Sequence, residues 1–429
     1  MHLDSWVAEK ISIGTNSGGE NIQVLGGGHE NKHEQGQEKG HGQENGQGQE
    51  PFKCVPLTRE ALDTYSQTKR VKLLAFLMEK SPFYKTLLTG IIASTGRSID
   101  TGGAMDTSVA ISNARNLASK WEQIPFTTAN DIVGEEGQML CVHPSEISRI
   151  VSQTTSGTTG SAKRIYFTPE DQELTVDYFH HGMKIMVAPG DKVLILLPHK
   201  SPGSLGFLLQ EGLFRLGGQG FFMDSLETLG EAPSFVRQDA KVTPSKLARA
   251  ENESDVVFHS KERDKIHPIK VEEVTAIVGP PSLIVAMTKT HPDMRPHSIL
   301  MTADFVAIED REAVKDAWGS RVFEHYGMTE MGLGCAMSCR DTDDNPPVGY
   351  HVRENDLYIE IIDPVSKKNL PDGEWGEIVM TTLTRRGMPF LRYRTGDTGR
   401  LLKETCTCGS LLKRLDRVQK RIESKNINY

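Results

Sequence analysis

From position 57 onward, Leu62, Tyr65, Val71, Leu74, Phe76 and Leu77 recur every three or four residues. That is the period of a helix with one buried face, and Ser81-Pro82 should stop it. Residues 83–93 and 108–121 repeat the pattern in shorter form. Beyond Ser148 the rhythm changes to short apolar runs alternating with helical stretches. Residues 149–153 and 164–167 read as strands flanking a Gly/Thr loop, followed by a helix over 170–187 and a strand over 192–197. A helix over 205–216 and a strand over 220–223 come next, and segments 274–279, 282–289, 298–302, 309–318 and 322–326 continue the alternation. Such βα repetition predicts an α/β fold, a largely parallel sheet covered by helices. After Asn355 the segments 357–362, 377–382 and 398–402 read as strands separated by turns such as Pro371-Asp372-Gly373, which predicts a β-rich subdomain.

The pattern lapses in two places. Residues 26–50 contain only Gly, His, Glu, Asn, Lys and Gln, so they bury too little apolar surface to offset the entropy of ordering. Residues 224–270 are polar, charged and weakly periodic, and read as an insertion with little core. The expected organisation is an N-terminal segment over 1–56, an α/β core over 57–350, a β-rich subdomain over 351–415 and a hinge-like remnant over 416–429. A net charge of −8 over 429 residues argues against a general nucleic-acid binder, which shows a basic face. No apolar run suits a membrane span, and residues 1–10 lack a secretory apolar stretch, so the expected address is cytoplasmic.

Three segments carry candidate chemistry. In Thr154-Thr155-Ser156-Gly157-Thr158-Thr159-Gly160-Ser161-Ala162-Lys163, two glycines free the backbone to turn tightly while hydroxyls and a lysine supply donors and charge. Such a loop can cradle a polyphosphate, although its spacing is not that of the P-loop; a plain Ser/Thr/Gly hairpin loop is the alternative. In His325-Tyr326-Gly327-Met328-Thr329-Glu330, an aromatic can stack on a purine, a hydroxyl can touch a phosphate and a carboxylate can hold Mg²⁺. The alternative is a strand end with an exposed acid. In Tyr393-Arg394-Thr395-Gly396-Asp397, a carboxylate at a tight turn suits the two hydroxyls of a ribose, or merely caps its own backbone.

In this order and at these separations, the three segments resemble the adenylate-forming (AMP-binding) superfamily of acyl-CoA synthetases. Ser81-Pro82-Phe83-Tyr84, Gly373-Glu374-Trp375-Gly376-Glu377-Ile378-Val379 and Thr381-Thr382-Leu383-Thr384 resemble its phenylacetate–CoA ligase branch. The resemblance covers about 57–223 and 274–421. It implies the large N-terminal domain of an adenylate-forming enzyme, with ATP, Mg²⁺ and a small carboxylic acid as reactants and coenzyme A as acceptor. It also implies site roles: Thr155, Ser156, Gly157, Thr158, Thr159, Gly160 and Lys163 on the phosphates, Thr329 on the α-phosphate and Glu330 on Mg²⁺. Tyr326 beside Gly327 would stack on adenine, whose amino edge would be read near Ala303-Asp304; Asp397 would hold the ribose and Arg421 the nucleotide. The family's Gly-Arg-x-Asp hinge appears as Lys420-Arg421-Ile422-Glu423, and the small C-terminal lid domain, with its catalytic lysine, is expected to be absent. That leaves two alternatives: transfer of the acyl group to a protein or carrier thiol, and a degenerate nucleotide-binding protein. A separate lid protein or a homodimer would be the partners, with no nucleic acid and no membrane.

Six cysteines are too few and too unevenly spaced for a disulfide framework in a chain of this length. Cys406-Thr407-Cys408-Gly409, with Cys339 and His351, offers three thiolates and an imidazole, a normal tetrahedral Zn²⁺ set; reduced cysteines beside a packed histidine are the alternative. The resembling branch carries a comparable clip. Cys335 reads as a small buried residue. An acyl pocket is expected among His199, Gly203, Phe207 and Leu208 and near residues 332–336.

Overall fold

The computed structural model describes residues 2–16, 22–25, 53–94, 107–154, 162–223, 269–339 and 349–419. The tract at 26–50 and nearly all of the insertion at 224–270 lie outside them. The chain starts with a helix that the apolar pattern did not announce, α1 (His2–Asn16). Trp6, Val7 and Ile11 on it are buried, and Asp4 Oδ1 accepts from Ser410 Oγ (2.7 Å) and the Leu411 amide (3.1 Å). Two short strands, β1 (Ile22–Leu25) and β2 (Lys53–Pro56), pair in parallel.

The helical rhythm after Leu57 becomes α2 (Arg59–Lys80), α3 (Pro82–Ser94) and α4 (Thr107–Ser119). Thr58 caps α2 by accepting from the Ala61 amide, and Ser81 ends it just before the proline that opens α3. Two single turns, α5 (Ala129–Ile132) and α6 (Glu136–Met139), lead to the hairpin β3 (Arg149–Thr154) and β4 (Ala162–Phe167). Helix α7 (Pro169–Met183) follows directly. Its first turn is fixed by Thr168 and Asp171, each bonding the other's amide.

The main sheet has eight strands. Strands β5 (Lys192–Ile195), β6 (Gln219–Phe222), β7 (Ala276–Gly279), β8 (Ser298–Met301) and β9 (Arg321–Tyr326) are parallel, in the spatial order β6-β5-β7-β8-β9. Beyond β9 the sheet turns antiparallel through β10 (Ala336–Met337), β11 (Tyr350–Val352) and β15 (Arg414–Leu415). The parallel strands are apolar almost throughout because both faces are covered. Val193, Ile195, Ala276, Val278, Leu300 and Phe323 face one layer, where α1, α7 and α8 (Leu205–Arg215) pack. Leu194, Ile277, Ile299, Met301 and Val322 face the other, under α9 (Pro281–Thr290) and α10 (Ile308–Trp318).

A separate antiparallel sheet joins β12 (Leu357–Ile362), β13 (Gly376–Thr382) and β14 (Tyr393–Gly399). Here one expectation is corrected. The third strand is not 398–402 but Tyr393–Gly399, so Asp397 sits inside a strand and not at a tight turn. The register slips between Glu377 and Val379, and Gly396, at φ +76°, takes up the irregularity that sets Asp397.

Candidate active site

The site builds up at the C-terminal end of the parallel strands, where helix-covered sheets of this kind leave a crevice. Tyr326 ends β9, and Ala303 and Asp304, both exposed, follow the neighbouring β8. The loop that carries Thr155, Ser156, Gly157, Thr158, Thr159 and Gly160 lies outside the described residues, as does Arg421. The loop's two flanking strands are described, and their register sets Gln153 directly opposite Lys163. Opposed residues share one face of a hairpin, and both side chains reach the single 3-10 turn Thr329–Met331. Gln153 Nε2 donates to Thr329 Oγ1 at 2.6 Å, and Lys163 Nζ forms an ion pair with Glu330 Oε1. Both partners of that ion pair are buried. Tyr393 donates its hydroxyl to the same Glu330 oxygen at 3.0 Å.

Strand β14 completes the group. Tyr326 donates its hydroxyl to Asp397 Oδ2 at 2.7 Å. Burial and then the neighbouring carboxylate hold that phenol well above its ordinary pKa. The turn between Tyr326 and Glu330 depends on Gly327: a Cβ there would stand 1.9 Å from the carbonyl oxygen of Leu333. The three segments singled out from sequence therefore meet, with Lys163, Thr329, Glu330, Tyr326 and Asp397 linked across the hairpin, the turn and β14.

Several participants carried no sequence signal. Arg385 donates to the Glu330 carbonyl, and Arg392 fills a buried cage of Glu360 and the carbonyls of Trp121, Glu122 and Ile124 just before Tyr393. Behind Tyr326, buried Glu324 accepts from Arg311 (2.9 Å), Tyr350 (2.6 Å) and Arg417. His325 bonds Thr302 Oγ1 through Nδ1 at 2.7 Å; burial, with Arg353 nearby, lowers its pKa to about 4. Of the expected acyl-pocket residues, His199 stacks on Phe222 with centroids 4.1 Å apart, and Phe207 and Leu208 lie on α8. Helix α7 connects the two halves of that region, since Gln172 crowds Gly203 and Thr175 donates to the Gly332 carbonyl.

A second cluster lies where the sheet turns antiparallel. Cys339 follows β10, His351 is on β11, and Cys406 and Cys408 come from the loop before β15. Their ligand atoms all lie within 4.8 Å of one another, with Cys339 Sγ 3.6 Å from Cys406 Sγ and Cys408 Sγ 3.5 Å from His351 Nε2. A tetrahedron with zinc–sulfur bonds of about 2.3 Å has sulfur–sulfur edges of about 3.8 Å, and slightly shorter edges to nitrogen. The donor set fits such an ion in both spacing and chemistry. Hydrogen bonding from Cys339, reinforced by His351, holds the Cys408 thiol well below its ordinary pKa. Cys335 is buried apart from this set, in the apolar core.

A family model described as AMP-binding enzyme matches residues 252–384. A phenylacetate-coenzyme A ligase from Thermus thermophilus is 25% identical over 358 residues, covering 82% of this chain and 68% of that protein. The ligase of the same name from Pseudomonas putida is 43% identical over 98 residues, which is 23% of this chain and 21% of that protein. Among solved structures, 2-hydroxyisobutyryl-CoA ligase in complex with 2-HIB-AMP and CoA superposes with a TM-score of 0.60 at 19% identity, over 84% of this chain and 68% of that one. The fold is that of the adenylate-forming enzymes, and residues 252–384 match the AMP-binding enzyme family model. The curated relatives it matches are phenylacetate-coenzyme A ligases; the matched stretch spans about a fifth of the Pseudomonas protein's length. Among the described residues, no helix is long and apolar enough to cross a membrane.

Proposed function

We propose that this protein binds ATP, activates a small aryl or acyl carboxylic acid as its adenylate, and passes the acyl group to the thiol of coenzyme A. The observation that carries this reading is the buried Lys163–Glu330 pair, set between the ends of the phosphate-loop hairpin and the Tyr326–Asp397 bond. In adenylation a carboxylate attacks the α-phosphorus and pyrophosphate leaves, so the protein's work is positioning and charge neutralisation. Lys163 is placed to turn from Glu330 to the departing phosphates, with residues 155–160 supplying hydroxyls and amides around them. Thr329, held by Gln153, faces the α-phosphate. Glu330, once released by Lys163, holds Mg²⁺, which supplies charge neutralisation at the phosphates when bound. Tyr326 and Asp397 present an aromatic face and a ribose acceptor, with Ala303-Asp304 at the adenine edge. The thioester step and the identity of the acid rest on the relatives alone.

The second part of the reading is structural: Cys339, His351, Cys406 and Cys408 hold a Zn²⁺ ion that fastens the 406–408 loop to the sheet. Metal analysis of protein purified without chelator should return close to one zinc per chain, and less than roughly half an equivalent would remove the ion from the account.

Carboxylate-dependent exchange of labelled pyrophosphate into ATP tests the activity. Exchange with one member of an acid panel, abolished in Glu330→Gln, is the expected result. Exchange without consumption of coenzyme A would move the acceptor to a carrier thiol. Absence of exchange with any acid, together with no heat on titration with Mg–ATP, would leave a protein without this activity.

A further inference from the structure

Arg385 is a buried cation to which the proposed chemistry gives no task. It lies on the loop between β13 and β14 and donates to two main-chain carbonyls that are distant in sequence. One belongs to Glu330 and the other, at 3.3 Å, to Tyr166 on β4. Its guanidinium sits 4.2 Å from the ring centroid of Phe167 and 5.5 Å from that of Phe390. Among the described residues it donates to no carboxylate, and its Nε is buried without a partner. Burying a charge is costly, and burial lowers the guanidinium to about 10 despite the opposing pull of the nearby Asp171 and Glu330 carboxylates.

The loop that aims this side chain is fixed. The amides of Arg386 (2.8 Å) and Gly387 (2.9 Å) both donate to Asp171, the residue that closes the first turn of α7. The Gly387 carbonyl accepts from Cys141, and a Cβ at Gly387 would lie 2.8 Å from Asp171 Oδ2. Tyr166 shares β4 with Lys163, and the Glu330 turn carries Thr329, so the guanidinium bridges the two halves of the nucleotide centre. The side-chain links between those halves, Lys163 to Glu330 and Gln153 to Thr329, involve groups that on this reading turn to phosphate and metal. The bridge through Arg385 uses carbonyls only and survives that exchange.

Resting on the functional reading above, we propose that Arg385 is a positioning residue that clips β4 to the Glu330 turn, holding the two halves at working distance once Lys163 and Glu330 have taken ligand. A planar fork holds its donors apart in fixed directions, whereas the compact ammonium of lysine would have to reach both carbonyls from a single atom. The test uses the full chain with Arg385→Gln and Arg385→Lys, and two readouts. In unliganded protein, amide exchange over residues 162–166 and 328–332 should rise in both variants while β7 and β8 keep wild-type protection. In calorimetry, the Kd for Mg–ATP should rise at least tenfold in Arg385→Gln and several-fold in Arg385→Lys. If Arg385→Gln does not fold, Arg385→Lys decides by the same readings. Wild-type protection over both segments together with wild-type nucleotide affinity would overturn the clip. A wild-type protein that takes up no Mg–ATP would instead strike the functional reading, and the exchange data on unliganded protein would still judge the clip.

Discussion

The nucleotide centre and the cysteine–histidine cluster hang from the same run of strands, yet they are assembled on opposite principles. At the first, the protein's own groups answer one another: Lys163 meets Glu330, Gln153 meets Thr329, and Tyr326 meets Asp397. Each contact joins different stretches of chain. At the second, four electron-rich donors face inward at tetrahedral spacing, an arrangement that a cation completes. On the reading proposed above, one site opens and refills while the other stays shut. The two are joined by the sheet, antiparallel from β9 to β11.

The sharpest way to break this contrast is to remove one half of an exchangeable pair. Lys163→Met strands the buried Glu330 carboxylate, and urea unfolding should register a loss of about 3–5 kcal/mol along with complete loss of pyrophosphate exchange. Adding Glu330→Gln to the same chain should recover much of the stability and none of the exchange. A single variant as stable as wild type would mean that the pair is not buried in solution.

The shut site should respond the other way. Cys408→Ser is expected to bring zinc content close to zero and to lower stability by about 2–4 kcal/mol, while pyrophosphate exchange stays within roughly threefold of wild type. Collapse of exchange in a variant that still folds would show that the two sites are coupled more tightly than the strands between them suggest.

His325 adds a pH dependence that belongs to neither site's ligands. Its folded pKa of about 4 lies below the ordinary histidine value. Between roughly pH 6.5 and 4 the unfolded chain therefore takes up a proton that the folded chain refuses, and stability falls as pH falls through that window, by roughly 3 kcal/mol at most. Melting followed from pH 7 to 4.5 should show the fall, and His325→Gln should make it shallower while leaving the share of His181, whose pKa burial likewise lowers, to about 3. The smallest effect is expected from Tyr326→Phe, which removes one hydrogen bond to Asp397. The KM for ATP should rise several-fold, equivalent to about 1 kcal/mol, with the melting temperature nearly unchanged.

Much of this was legible in the sequence, for identifiable reasons. The parallel strands announced themselves because both faces are covered, which leaves short apolar runs such as 193–195 and 299–301. The motif residues stood out because Gly327, Thr329 and Glu330 serve a turn whose geometry tolerates few alternatives. The cysteines could be grouped because thiolates have few other uses at such spacing. Strand β14 was misplaced because Gly396 and Asp397 carry the composition of a turn while tertiary pairing makes them a bulge. Arg385, Arg392 and Glu324 were invisible for a different reason. Their partners are carbonyls and side chains from distant segments, and no local pattern distinguishes a buried arginine from a solvated one.

Helix α1 brings the two ends of the sequence together. Asp4 grips Ser410 and Leu411, a short step past Cys408, so whatever disturbs the first residues is transmitted to the thiolate loop at the far end of the chain. With the proposed zinc in place, Asp4→Ala would loosen that attachment, and the variant would give up its metal sooner through dialysis.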